Sequence, residues 1–321
     1  TKDSEDLIID LDLDNSTGYS SSTVNSASIN NKGVEAILNV IPVQSRDFTW
    51  DVSASFSLLR SEVISIADGI DQIYVGGYVG RGNIAIPGLP YGILEGEVIR
   101  RDYGSLDGTD HTQVHWDDRT NYTPIVNANG GYQFLGYGVI GNPQPDFVYG
   151  VTNTLSYKWA TLRVQFDSQV GGDVFSTTNS TLLGRGILQE TDFDRFVPVV
   201  TNGLSADGTP NTTQTTANAH YWPNTGVFYD ENSIYDASVM RLREVSLSFV
   251  APKSFLNGTP FGNASLTLSA QNIWHYAWNT PSGTNFDPEV ISYGAGSNAR
   301  GFDEMTGPTA KKYGATLSLT F

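Results

Sequence analysis

Cysteine is absent from the 321 residues, which removes disulfide frameworks and thiolate metal sites from consideration. Long apolar runs are missing as well, and no stretch provides the ~20 residues that a membrane-crossing helix needs. Basic residues are scarce. Lys and Arg number 18 against 34 Asp and Glu, a net charge of −16. A nucleic-acid binder needs a basic footprint, so that class is disfavoured. The mean hydropathy of −0.23 would suit a soluble protein. A membrane β-barrel is exempt from that test, because only every second residue of its strands meets lipid.

What is present is alternation with a period of two. Tyr313, Ala315, Leu317, Leu319 and Phe321 share one face of the last segment, with Lys312, Gly314, Thr316, Ser318 and Thr320 on the other. The pattern recurs in residues 7–13, 33–41, 48–58, 147–157, 160–170, 235–250 and 262–278. A soluble sandwich also alternates. Two features favour a membrane barrel instead. Aromatics gather at segment ends (Phe48 and Trp50, Tyr157 and Trp159, Trp274 to Trp278, Tyr313 and Phe321), as interfacial girdles do. Isolated charges, Glu35, Asp51, Arg163 and Asp167, stand mid-strand on the polar face, where a dry interior would punish them and a watered lumen would not. In 235–250 simple parity would turn Arg241 and Arg243 toward lipid at a cost of about 2–4 kcal/mol each. A β-bulge near Arg243–Glu244 would return both to the lumen and leave Met240 and Leu242 on the lipid side.

Connections alternate between short and long. Residues 42–47, 158–159 and 251–261 are short; 66–145, 172–234 and 279–311 are long, and 14–24 is intermediate. All long ones therefore lie at one end, the layout of an outer-membrane barrel with short periplasmic turns and long extracellular loops. Phe321 then ends on the periplasmic side. Eight strands could close a small barrel, but loops of this size favour a slice of a larger one. Thr1 opens a polar stretch with no signal peptide, so either the precursor is processed or the chain is the tail of a longer protein.

Motifs for chemistry are weak. Asp10, Asp12 and Asp14 imitate an EF-hand start, but Asn15 stands where Gly is needed and Ser21 where Glu is needed, so a strand with lumenal aspartates is the better reading. His111 and His115 have ligand-like spacing inside a Gly- and Asp-rich loop, and no metal or cofactor is expected. No pair of carboxylates is fixed at a shared distance, so an enzyme is not expected. The loop aromatics Trp116, Tyr122, Tyr221, Trp222 and Tyr229 could stack on sugar rings or peptide side chains, although such residues more often pack loops.

Residues 140–158 (IGNPQPDFVYGVTNTLSYK), Val170 to Asp173, residues 235–249 (YDASVMRLREVSLSF), Pro252 to Ser254, Ser28 to Glu35, Asn272 to Trp274, Phe286 to Glu289 and the terminal YGATLSLTF together resemble SusC-like TonB-dependent transporters of the Bacteroidetes. The resemblance implies that residues 1–321 are the C-terminal part of an all-β, 22-stranded barrel. The plug, the TonB box and the earlier strands would lie outside this chain. It also implies a SusD-like lipoprotein lid, TonB as energy source, the outer membrane as location, and import of glycan fragments or oligopeptides. Recruitment as a structural subunit of a larger assembly or secretion complex is the alternative. Tyr313, Leu317, Leu319 and Phe321 resemble the terminal signal that barrels present to their insertion machinery.

Overall fold

The computed structural model describes residues 1–12, 16, 18, 19, 21–78, 80–102, 116–224, 229–281, 283, 284, 286–289, 292, 293 and 299–321. Its frame is an eight-stranded antiparallel sheet. The strands are β1 (Lys2–Asp12), β2 (Ser21–Gln44), β3 (Phe48–Ser65), β4 (Phe147–Tyr157), β5 (Ala160–Val170), β6 (Val239–Val250), β7 (Asn263–Tyr276) and β8 (Lys312–Thr320). They lie side by side in chain order. β1 and β8 are the two edges and do not pair with each other, so the sheet is an open wall and the small closed barrel is ruled out. Leu13, expected in the first strand, lies outside the described residues.

Register makes the two faces continuous across strands. One row runs Trp50, Leu155, Leu162, Leu247, Leu268, Ala315, and the next Phe48, Tyr157, Ala160, Phe249, Leu266, Leu317. On the opposite face a row runs Asn39, Ser53, Thr152, Gln165, Glu244, Gln271, Lys312, and another Asp51, Thr154, Arg163, Ser246, Ser269, Gly314. A one-residue slip would exchange the faces of a strand, so the hydrophobic pattern itself fixes the pairing. The expected bulge is present. β6 shifts register against both neighbours around Arg243, between Leu242 and Glu244. Leu242 thereby pairs with Phe166 and Trp274 on the apolar face, while Arg241 pairs with Asp167 on the polar one.

Aromatics close the apolar band at both ends. Phe56, Phe147 and Tyr149 form one contact group, and Trp274 stacks on Tyr276. At the short-turn end Trp159 packs on Phe249, and Phe261 on Phe321. From Phe147 to Tyr157 the strand rises about 34 Å at ~3.4 Å per residue. A strand tilt of ~40° turns that into about 26 Å of height, close to the ~25 Å apolar band of outer-membrane barrels. Within the band Asn153 is a polar exception, and the Trp50 indole Nε1 donates to its Oδ1 at 3.1 Å.

The three long connections, read from sequence as loops, are instead a folded cap with its own core. Ile73–Tyr78, Arg81–Ala85, Ile93–Ile99 and Phe134–Gly141 form a four-stranded antiparallel sheet. Asp173–Ser176 pairs antiparallel with Ile234–Asp236 and parallel with Phe302–Asp303. Leu94, Val98 and Ile140 from the first connection, Phe175 from the second and Phe302 from the third make one buried cluster. Burial of apolar surface between connections is what holds them together. Polar side chains finish the joints. Ser176 Oγ accepts from Asn179 N at 3.1 Å, capping helix Thr177–Gly184, and donates to the buried Asp303 at 2.6 Å. Asn83, fully buried, accepts from Arg300 N at 2.7 Å and donates to Arg300 O at 3.1 Å, imitating a strand pair.

Candidate functional site

The polar face of the wall carries one concentrated charge cluster, built around the β6 bulge. The bulge puts Arg241 and Arg243 on the same side as Asp167 of β5, and residues 286–289 of the third connection fold down onto them. Arg241 Nη2 donates to Asp287 Oδ1 at 2.6 Å, and Arg241 Nη1 lies 3.6 Å from Asp167 Oδ2. Arg241 Nε faces Glu289 at 3.4 Å without hydrogen-bond alignment. Arg243 is bidentate twice. It donates to both oxygens of Asp167 at 2.7 and 2.8 Å and to both oxygens of Glu289 at 2.9 Å. Planar guanidinium forks suit such paired carboxylate contacts.

Arg241 and Asp287 are 5 % and 2 % exposed, so neither could be buried without the other. Thr309 Oγ1 also donates to Asp287. Burial alone would push Asp287 up. The Arg241 charge, together with the Thr309 and Glu289 hydrogen bonds, outweighs it and holds the carboxyl below its ordinary value. The cluster borders a cavity of about 390 Å³ on the wall, lined among others by Glu35, Gln165, Asp167, Gln169, Arg241 and Glu289.

A second set of carboxylates joins the first connection to the second. Asp230, 1 % exposed, pairs with Arg81 and accepts from Glu97 N at 3.0 Å. Glu231 accepts from Ile99 N at 2.8 Å and pairs with Arg101 at 2.8 Å. Asp173 accepts from Asn142 N at 2.7 Å. Its carboxyl is pushed up to about 6, by burial first and by the neighbouring Asp117, Asp236 and Asp146, against the Asn142 bond. These joints were not legible from sequence, because nothing local pairs Asp230 with Arg81 or Glu231 with Arg101.

Of the residues singled out by sequence, register puts Glu35, Asp51, Arg163, Asp167 and Arg241 on one face, and its hydrogen bonds to Asp167 put Arg243 there too. Only Asp167, Arg241 and Arg243 are brought into direct contact. The loop aromatics are scattered. Trp116 packs against the Ile84, Ile93 and Val139 cluster. Tyr122 N donates to Arg119 O at 3.0 Å. Tyr229 OH donates to Tyr132 O at 2.7 Å. Tyr221 contacts Phe193, and Trp222 lies under the Arg185 guanidinium at 4.5 Å. Tyr221 also borders a cavity of about 130 Å³ with Arg185 and Arg195. Tyr313, Leu317 and Leu319 line the apolar face of β8, and Phe321 is 85 % exposed apart from its Phe261 contact. His111 and His115 lie outside the described residues. Among the described residues no three His, Asp or Glu side chains converge as metal ligands would.

No family model matches the chain. Curated relatives do. TonB-dependent receptor P3 of Formosa agariphila is 26 % identical over 345 residues, covering 99 % of this chain and 31 % of the relative. TonB-dependent receptor P26 of the same organism is 26 % identical over 341 residues, covering 100 % and 32 %. TonB-dependent receptor SusC of Bacteroides thetaiotaomicron is 22 % identical over 259 residues, covering 76 % and 23 %. Among solved structures, the RagAB peptide transporter matches with a TM-score of 0.63 at 20 % identity, over 99 % of this chain and 32 % of that one. The RagAB peptide importer in its closed-closed state matches with a TM-score of 0.64 at 19 % identity, over the same shares. The chain spans about a third of the length of P3 and P26. The chain is a β-barrel segment, similar over its whole length to TonB-dependent receptors and over three quarters of it to SusC.

Proposed function

We propose that the chain supplies about eight strands of wall, at the C-terminal side of a 22-stranded barrel, and most of an extracellular cap to a TonB-dependent importer. The importer takes up glycan fragments or oligopeptides together with a SusD-like surface lipoprotein. The observation that carries this reading is the cap itself. Three long connections leave one end of the wall, share a core, and reach onto its polar face through Asp287 and Glu289. In this reading that face is the lumen, with Glu35, Asp51, Arg163, Asp167, Arg241 and Arg243 turned to it. The cap is extracellular, the short turns are periplasmic, and Tyr221 and Trp222 are the loop aromatics best placed to meet a ligand. The apolar face of β8 and Phe321 would engage the insertion machinery.

The test is uptake. Cells lacking the receptor gene, and cells lacking TonB, should both fail to accumulate a labelled peptide or glycan mixture that parent cells take up. Each mixture assayed separately identifies the substrate class. Normal accumulation of both mixtures in the receptor deletion would overturn import and favour a structural role.

A further inference from the structure

At its short-turn end the apolar face of the wall is indented by a cavity of about 250 Å³, bordered by Trp159, Phe249, Phe255, Leu266 and Leu317. Its lining is a small pocket of aromatic and aliphatic carbon. Ala251, Ala264 and Ser265, the small residues in the lining, stand among bulkier neighbours. Phe255 belongs to the helical turn Lys253–Leu256 in the β6–β7 connection and is 74 % exposed, although it stands over apolar surface.

Cations flank this pocket. Lys158 directly precedes Trp159, and its Nζ lies 5.3 Å from the centre of the Tyr157 ring. Tyr157 is in the apolar row with Phe249 and Leu266, so the Lys158 ammonium is held on the lipid side of the wall by a cation–π contact. Lys253 directly follows Pro252, another lining residue, is exposed, and makes no ion pair among the described residues. Across the short connections 45–47, 158–159 and 251–262 the charged residues are Arg46, Asp47, Lys158 and Lys253. A chain with a net charge of −16 has therefore reversed its sign at this one end.

We propose that this is a binding site for an anionic glycerophospholipid. One acyl chain fills the pocket between Trp159, Phe255 and Leu266, and the phosphate is met by Lys158 and Lys253. A carbon-lined groove on a lipid-facing wall excludes water-soluble ligands, and the lysines next in sequence to its lining residues Trp159 and Pro252, neither in an ion pair among the described residues, select a headgroup with net negative charge. Long lysine stems can reach the headgroup level while their carbon chains stay on apolar surface. The inference stands on the lipid-facing wall and is separate from what the barrel imports.

The experiment is native mass spectrometry of the full-length receptor in detergent, titrated with dioleoyl phosphatidylglycerol and, separately, dioleoyl phosphatidylcholine. The parent should retain phosphatidylglycerol about tenfold more tightly than phosphatidylcholine. The double variant K158Q/K253Q, changed only in exposed turns, should lose about tenfold in phosphatidylglycerol affinity and bind the two lipids alike. Ala264→Phe, which fills the pocket, should weaken both lipids. Equal phosphatidylglycerol retention by parent and K158Q/K253Q would overturn the proposal. So would displacement of phosphatidylglycerol by lipid A at equal concentration. Substrate uptake by K158Q/K253Q should match the parent, so failure here leaves the import reading intact.

Discussion

Arg243 holds Asp167 across the β5–β6 pair with two parallel hydrogen bonds, 2.7 Å from Nε and 2.8 Å from Nη2. Its other edge turns to Glu289 on the connection that roofs the wall. One side chain thus fastens a strand to its neighbour and the cap to the strand. The bulge at Leu242–Glu244 makes this possible, because it swings Arg243 to the polar side while Leu242 stays with Phe166 and Trp274.

The first prediction follows from that double grip. Arg243→Ala should loosen residues 286–289, which Arg241 still holds through Asp287, and destabilise the folded protein by about 1–3 kcal/mol, since it strips hydrogen bonds from the partly buried Asp167 carboxylate. The Glu289 half is the weaker one. The Arg243 and Glu289 side chains are 28 % and 46 % exposed, so solvent screens the pair and a double-mutant cycle should give a coupling below about 1 kcal/mol. Amide exchange at residues 286–289 reads the release directly. Unchanged protection there in Arg243→Ala would refute the fastening role.

Acid should undo the neighbouring contact of the same segment, Asp287 on Arg241. Asp287 has a folded-state pKa below its unfolded value, so its contribution is fully present above roughly pH 4 and fades as pH falls through the depressed value. Amide protection at 286–289 should therefore hold from neutral pH down to about pH 4 and collapse below it. In Asp287→Asn, protection should be weak at every pH. A collapse already complete at pH 6 would contradict the assignment.

Asp173 should behave in the opposite sense. Its carboxyl is pushed up to about 6 from 3.8, so the folded state prefers the protonated form and loses stability as pH rises through that window. At ~1.4 kcal/mol per unit the ceiling of the penalty at pH 7 is about 3 kcal/mol. Asp173→Asn keeps an oxygen that can accept from Asn142 N and removes the charge. The variant should be more stable than the parent by about 1–3 kcal/mol at pH 7 and indistinguishable from it near pH 4. Thermal unfolding of the receptor at the two pH values gives the comparison, and a variant less stable at pH 7 would show that the charge is needed.

How far the sequence carries the fold depends on which side of the wall is considered. The strands were legible because lipid on one face and polar groups on the other force a strict period of two, and Arg241 with Arg243 broke the parity loudly enough to expose the bulge. The cap was not legible. Its core residues Leu94, Val98, Ile140, Phe175 and Phe302 come from three separate connections, and the strand Ile93–Ile99 is buried at nearly every residue, so it shows no alternation to read. The acids that stitch it together carry no local signal, since nothing nearby in sequence marks Asp230 for Arg81, or Asp287 for Arg241. Only the tertiary approach of separate connections makes those pairs.

The two faces predict unequal tolerance to charge. Val164→Arg lies in the apolar row with Val52, Asn153 and Val245, and should cost about 2–4 kcal/mol. Gln165→Arg, one residue on, faces Thr152 and Glu244 and should change stability by less than about 1 kcal/mol. The folded fraction after refolding into lipid vesicles, read from gel mobility without heating, separates the two. Equal losses would mean that the faces are misassigned.

Asn153 is the sharpest test of the lipid face, because it is a primary amide in the row between Val52 and Val164. In hydrocarbon its carbonyl has no water to turn to, and the Trp50 indole supplies the donor at 3.1 Å. Trp50→Phe keeps an aromatic ring but removes that donor, so the amide oxygen is stranded at a cost of about 1–3 kcal/mol. Asn153→Val alone should be close to neutral or stabilising, because it deletes the polar group and extends the apolar row. In the Asn153→Val background, Trp50→Phe should then cost little. The non-additivity is what identifies the hydrogen bond, since a lost packing contact would cost the same in either background. Equal penalties for Trp50→Phe with and without Asn153 would show that the indole acts through its bulk, and that water reaches this depth of the wall.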